Sequence, residues 1–188
     1  MIGFIFAVAP TVFLFTQYDT SFSTEHTRIP NWFFFYFAFS YFMYRMFDEM
    51  DGKQARRTKT STALGMMMDH GFDSFSVGFI KMVLAKSVSS GDSLQSLFFV
   101  AGSCMVFHFT ILEEYYIGGM FMGPFNAITD MSFVMYGFFS YLGFFNNDQL
   151  QYIALSQGYL FESQPALRYC DLTVYFVIFF ATCNSLLS

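Results

Sequence analysis

The chain has 188 residues, of which 55% are hydrophobic and only 12% charged, and its mean hydropathy is +0.44. Phenylalanine alone contributes 30 residues, more than a soluble domain of this size can bury, so the composition indicates a membrane protein. The net charge of -5 argues against nucleic acid as a partner, and three widely separated cysteines without a CxxC pair argue against a zinc site or a disulfide framework.

Six hydrophobic segments predict an all-α, polytopic membrane bundle of about six transmembrane helices, folded as a single domain over residues 1–188. In chain order the segments are 1–18, 29–44, 65–88, 93–112, 131–147 and 172–188. The first segment is also compatible with a cleaved signal peptide. It lacks a basic start and a small-residue cleavage site, which favours a retained helix.

A dense basic stretch between the second and third segments orients the predicted bundle. It contains Arg45, Lys53, Arg56, Arg57 and Lys59. Because short cytoplasmic connections carry an excess of Lys and Arg, this connection and both termini are expected on the cytoplasmic side. The polar residues around it would then meet water-soluble substrates at the membrane surface.

The stretch DEMDGKQARRTKTSTALGMMMDHGFD, residues 48–73, holds four aspartates in the frame D-x2-D-G-x2-A-R-x8-G-x3-D-x3-D. Asp48 and Asp51 are three residues apart, and Asp69 and Asp73 are four apart, so each pair projects from one helix face. Two such faces brought together form a pocket whose repelling carboxylates would be neutralised by one or two divalent cations. Hard oxygen ligands suit Mg²⁺ or Mn²⁺, and paired ions of this kind can clamp a pyrophosphate.

The residues between the aspartates fit the same chemistry. Gly52 and Gly65 allow close approach of a helix or a nucleotide, and Arg56 can pair with phosphate in a planar fork. A lone D-x2-D is common on solvated helices, and Arg45 offers Asp48 a simple ion pair. The complete frame within so apolar a chain favours function, because acids in a membrane protein are costly to bury.

This frame resembles the signature of the CDP-alcohol phosphotransferase family. Within the family, DGKQARRTKTSTALGMMMDHGFDS at 51–74 is similar to the eukaryotic choline/ethanolamine phosphotransferase branch, as is LEEYYIGG at 112–119. The likeness covers most of residues 1–145. Members of that branch are considerably longer and have further helices, so the chain is expected to be a short or truncated member.

The resemblance implies transfer of phosphoethanolamine or phosphocholine from CDP-ethanolamine or CDP-choline to diacylglycerol, with release of CMP. It implies two Mg²⁺ or Mn²⁺ ions held by four carboxylates, those of Asp48, Asp51, Asp69 and Asp73. It implies that Gly52, Ala55 and Arg56 line the CMP site. Gly65 joins this substrate-binding set because it allows close approach of a nucleotide, and Glu113, at the end of the fourth segment, can face the cationic head group or a metal. The resemblance also implies an integral protein of the endoplasmic reticulum or another endomembrane, in contact with the lipid bilayer and able to form a homodimer.

Two residues are candidates for the base that accepts the diacylglycerol proton. The wider family implies Asp73, and the eukaryotic branch implies His70. A metal-bound carboxylate is a poor base whereas a free imidazole titrates near neutrality, which favours the histidine. On an ideal helix, however, His70 points about 100° away from Asp69. A structural role through a bond to a backbone carbonyl is the alternative for this imidazole.

A non-catalytic membrane scaffold or subunit derived from the same enzyme family is the alternative function. Every aspartate of the frame is retained at high energetic cost, which favours an active enzyme. The head group is left open between choline and ethanolamine. Ethanolamine is preferred, because the stretch from the first segment to DGKQARRT resembles ethanolamine-specific members most.

Overall fold

The computed structural model describes residues 2–18, 20, 22, 29–59, 62–88, 94–117 and 127–144. Every regular element in these ranges is an α-helix, which confirms the all-α prediction. The helices are α1 (Ile2–Gln17), α2 (Asn31–Thr58), α3 (Ala63–Ser87), α4 (Leu94–Ile117) and α5 (Ala127–Phe144). The sixth predicted segment, 172–188, lies outside the described residues.

The prediction of about six transmembrane helices is not confirmed. Within the described ranges, no helix combines the length and the apolar character that crossing a membrane requires. Helix α1 has 16 residues and is therefore about 24 Å long, against a hydrocarbon core of about 30 Å. Helices α2 and α3 are longer, with 28 and 25 residues, but charged side chains interrupt their apolar runs.

The helices pack in the order α4, α3, α1, α2, α5, so that α1 lies between the two helices that carry the aspartates. The core is strongly aromatic: Phe33, Phe34 and Phe37 of α2 are all buried, as is Phe139 of α5. The rings of Phe37 and Phe139 have centroids 4.4 Å apart. Because aromatic side chains bury large areas and favour tilted pairs, this contact anchors α5 to α2.

Two contacts fix α1 closely against its neighbours. At Gly3, an added Cβ would lie 3.2 Å from both the Tyr44 carbonyl oxygen and the Phe47 Cβ, so the absence of a side chain lets α1 approach α2. On its other side, the buried Thr11 hydroxyl donates a hydrogen bond to the Phe79 carbonyl of α3 at 3.3 Å. Helix α1 therefore sets the distance between α2 and α3.

A short connection joins the two aspartate-bearing helices. Helix α2 ends at Thr58, and Lys59 follows with φ 53°, the left-handed conformation that commonly terminates helices. Thr62 then caps α3, and its Oγ1 accepts a hydrogen bond from the Gly65 amide at 3.1 Å. The connection thus returns the chain and carries the second aspartate pair back toward the first.

Candidate metal centre

Three carboxylates from two helices converge at one end of the bundle. Asp48 of α2 and Asp69 and Asp73 of α3 each offer an oxygen, and these oxygens all lie within 4.8 Å of one another. Asp48 and Asp73 are half-buried and Asp69 is exposed, so the cluster opens to the surface on one side. Helical register supplies the two ligands from α3, because residues four apart lie on one face.

Asp51, the fourth aspartate of the frame, stands apart from this set of three. It is exposed and lies one turn further along α2. Burial, followed by the charge of Asp51, raises the pKa of Asp69. A single cation site would therefore use Asp48, Asp69 and Asp73.

Two hydrogen bonds orient the half-buried carboxylates. The Tyr44 hydroxyl of α2 donates to Asp73 Oδ1 of α3 at 2.8 Å. Arg45 Nη1 donates to Asp48 Oδ2 at 3.0 Å, the ion pair that the sequence suggested. Sequence reasoning missed Tyr44, although its position four residues before Asp48 places it on the same face of α2.

The cluster is electrostatically costly without a cation. Burial, followed by the charge of Asp73, raises the pKa of Asp48 from its ordinary value of 3.8 to about 7, and the opposing influence of Arg45 does not offset this. Neighbouring carboxylates that resist ionisation gain most from a bound cation. Oxygens around Mg²⁺ or Mn²⁺ at about 2.1 Å are at most about 4.2 Å apart, so small side-chain rotations would complete a hard-cation site here. The residues present therefore fit a divalent metal ion.

The other predicted site residues on α2 lie along the same helix. Gly52 and Ala55 are half-buried, four and seven residues after Asp48, and so follow it on one face. Arg56 comes next on α2, but its side chain lies outside the described part of the structure.

The remaining predictions fall on α3 and α4. Gly65 is exposed one turn before Asp69, where an added Cβ would lie 3.1 Å from Thr62 Oγ1. His70 is half-buried beside the cluster, and its backbone carbonyl accepts a hydrogen bond from the Ser74 hydroxyl at 2.9 Å. Glu113 belongs to α4, which packs on α3, and its side chain is outside the described residues.

The chain is similar to known proteins over most of its length. The CDP-alcohol phosphatidyltransferase family profile matches residues 2–162. The chain is 36% identical to cholinephosphotransferase 1 of Danio rerio over 118 residues, which are 63% of this chain and 30% of the relative. It is 32% identical to choline/ethanolaminephosphotransferase 1 of Arabidopsis thaliana over 101 residues, 54% of this chain and 25% of the relative.

An uncharacterized CDP-alcohol phosphatidyltransferase class-I family protein of Dictyostelium discoideum is 38% identical over 101 residues, 54% of this chain and 24% of the relative. The matched region thus spans about a quarter to a third of the length of these relatives. The family profile, in contrast, covers most of this chain and includes the three converging aspartates. The chain belongs to the CDP-alcohol phosphatidyltransferase family.

Proposed function

We propose that the protein transfers phosphoethanolamine or phosphocholine from a CDP-alcohol to diacylglycerol, forming phosphatidylethanolamine or phosphatidylcholine and CMP. The observation that carries this proposal is the convergence of Asp48, Asp69 and Asp73 within 4.8 Å. A pyrophosphate substrate brings further negative charge, which such a cluster accepts only together with divalent cations. The similarity to a cholinephosphotransferase and to a choline/ethanolaminephosphotransferase supports the substrate class.

The aspartates would hold two Mg²⁺ or Mn²⁺ ions, with Asp51 completing the set on its exposed side. Such ions neutralise phosphate oxygens and orient them for in-line displacement. Gly52 and Ala55 continue the face of α2 that begins at Asp48, and their small size leaves room there for the CMP moiety. Arg56, Gly65 and Glu113 are proposed to complete the substrate site.

In the reaction, the diacylglycerol hydroxyl oxygen forms a bond to the phosphorus that carries the alcohol. The bond from that phosphorus to the CMP oxygen breaks, and CMP leaves with its electron pair. We assign the hydroxyl proton to His70. Asp73 already accepts the Tyr44 hydrogen bond and belongs to the carboxylate cluster, so its remaining acceptor capacity is directed to cations. His70 follows Asp69 directly and is not one of the three clustered carboxylates, so its imidazole is the adjacent group left to act as the base.

Diacylglycerol resides in a bilayer, so we propose that the protein is an integral membrane protein of the endoplasmic reticulum with its site at the cytosolic face. Large apolar side chains near the aspartates support contact with lipid. Met50 of α2 is 55% exposed, and Met67 of α3 is 67% exposed. Since exposed apolar surface of this kind favours a membrane or a partner, both a lipid bilayer and a homodimer belong to the proposal.

The test is CMP release by the full chain in lipid, supplied with diacylglycerol, Mn²⁺ and either CDP-ethanolamine or CDP-choline. We expect release that is abolished in Asp69→Asn and retained in Glu49→Gln. The control residue is an exposed carboxylate that pairs with Lys53 at 3.0 Å and is not one of the three clustered ligands. Direct competition between the two CDP-alcohols would assign the head group, for which we propose ethanolamine. No release by the wild type under any of these conditions would support a non-catalytic scaffold instead.

A second comparison separates the two candidate bases. His70→Ala should lose turnover while binding Mn²⁺ as the wild type does. Asp73→Asn should lose both turnover and Mn²⁺ binding, because it removes a carboxylate of the cluster. Normal turnover of His70→Ala with intact metal binding would assign the proton to Asp73.

A further inference from the structure

The buried phenol of Tyr44 connects the two aspartate-bearing helices next to the carboxylate cluster. Tyr44 is 7% exposed, and its hydroxyl reaches across from α2 to Asp73 Oδ1 on α3 at 2.8 Å. A hydroxyl that donates to a carboxylate forms a charge-assisted hydrogen bond, which is stronger and more directional than a neutral one.

Tyr44 is held in place by its surroundings. An added Cβ at Gly3 of α1 would lie 3.2 Å from the Tyr44 carbonyl and 3.7 Å from its ring, so α1 packs directly against this residue. On α2 itself, the Tyr41 ring lies 6.2 Å away, centroid to centroid. A ring packed on two sides has few alternative rotamers, so its hydroxyl occupies one position relative to Asp73.

A second polar group lies beside the phenol. The Ser76 hydroxyl of α3 is fully buried and close to Tyr44, and within the described residues it makes no hydrogen bond of ordinary geometry. A phenol can donate and accept at the same time, so Ser76 can donate to the Tyr44 oxygen while Tyr44 donates to Asp73. Hydrogen bonds arranged in series polarise and strengthen one another.

We propose that Tyr44 is a positioning residue of the metal centre, fixing the Asp73 carboxylate so that its remaining lone pairs face Asp48 and Asp69. This inference rests on the proposed function, because it assigns the cluster to divalent cations. An ionised carboxylate offers about four acceptor positions, so one hydrogen bond from Tyr44 leaves capacity for a cation. Groups that orient metal ligands in this way typically change metal affinity by about 10–100-fold when removed.

The test measures Mn²⁺ binding to the Tyr44→Phe variant of the full chain in lipid, with electron paramagnetic resonance as the readout. The substitution keeps the ring and removes only the hydroxyl. Tyr41→Phe is the matched control, because Tyr41 lies one turn earlier on α2 and its hydroxyl pairs with Ser132 of α5 at 3.0 Å. We expect an about tenfold weaker Mn²⁺ affinity and a changed Mn²⁺ spectrum for Tyr44→Phe, with neither change for Tyr41→Phe.

The outcomes separate this inference from the proposed function. If the wild type binds no Mn²⁺, the metal centre itself is wrong. If the wild type binds Mn²⁺ and Tyr44→Phe binds it with equal affinity and the same spectrum, only the role of Tyr44 is wrong. Equal losses in Tyr44→Phe and Tyr41→Phe would indicate general loosening of α2 and would also overturn the assignment.

Should Tyr44→Phe fail to fold, 3-fluorotyrosine at position 44 provides the second measurement. It keeps the ring and the hydrogen bond but makes the phenol a stronger donor. A shifted Mn²⁺ affinity is expected for this variant, and an unchanged affinity and spectrum would refute the proposal.

Discussion

The raised pKa of Asp48 predicts how the stability of the metal-free protein depends on pH. Its pKa rises from 3.8 to about 7 in the folded state, so the folded protein binds this proton more tightly than the unfolded chain does. The resulting stability is fully present below about pH 4 and is lost as pH rises through about 7. Ionising Asp48 in the fold is therefore unfavourable unless a cation is bound.

The expected magnitude follows from the size of the shift. Between pH 5 and pH 8, a full loss would be about 2.6 kcal/mol, because about 1.4 kcal/mol is lost per pH unit until the folded pKa of about 7 is reached. The Asp48 side chain is 18% exposed and lies 3.0 Å from Arg45, so solvent and this partner screen part of the repulsion. We therefore expect a loss of about 1–2 kcal/mol.

The assay compares the unfolding free energies of the wild type and Asp48→Asn at pH 5 and pH 8, after a chelator has removed divalent ions. Asparagine cannot ionise, so the wild type should lose stability relative to this variant as pH rises. Adding Mn²⁺ at pH 8 should restore the wild type and leave Asp48→Asn unchanged. Glu49→Gln is the control, because the hydrogen bond from Lys53 lowers the pKa of Glu49, so its contribution to stability does not change between pH 5 and pH 8. A constant difference between wild type and Asp48→Asn across this pH range would refute the reasoning.

Three further outcomes follow from the helix contacts and can be measured by thermal or chemical unfolding and Mn²⁺ titration. Thr62→Ala removes the acceptor of the Gly65 amide and should destabilise the protein by about 1 kcal/mol, whereas Thr62→Ser should not. Gly3→Val should cost about 1–3 kcal/mol by crowding Tyr44, and it should also weaken Mn²⁺ binding, because it displaces α1 from α2. Gly102→Ala on α4, where an added Cβ meets nothing within 4 Å, should instead stabilise by about 0.5–1 kcal/mol. An equal effect of the two glycine substitutions would contradict the packing of α1.

Within the described residues, the hydrophobic segments predicted where helices occur and predicted the ends of α1 and α3 within one residue, but not the ends of α2 and α4. The second segment was predicted to end at residue 44, and α2 continues to Thr58. The apolar pattern stops where charged residues begin, but Lys, Gln, Ala and Arg are good helix formers and carry the helix onward. The fourth segment was predicted to end at 112, and α4 likewise continues through a polar end to Ile117. Apolarity marks the buried part of a helix, whereas its end depends on capping and propensity.

The predicted number of transmembrane helices shows where apolar segments indicate more than the structure confirms. Six apolar segments along the sequence led to a prediction of about six transmembrane helices, but the described helices lack the required combination of length and apolar character. The prediction counted apolar residues along the sequence. Asp69, Asp73 and Lys81 already interrupted the predicted third segment, and they lie within α3, while α1 has only 16 residues.

The sequence by itself determined the all-α class, the family and the set of acidic residues that can meet, because helical spacing places each aspartate pair on one face before any tertiary contact forms. Only the tertiary structure decided that Asp48, Asp69 and Asp73 are the three that converge, with Asp51 to one side. Among the aromatic side chains that the structure describes, it also singled out Tyr44, whose hydroxyl donates to Asp73 of the cluster. The partner of Tyr44 lies 29 residues away on another helix, and the approach of α1 at Gly3 sets the distance between those two helices. No local pattern encodes such a contact, since it depends on how three helices pack.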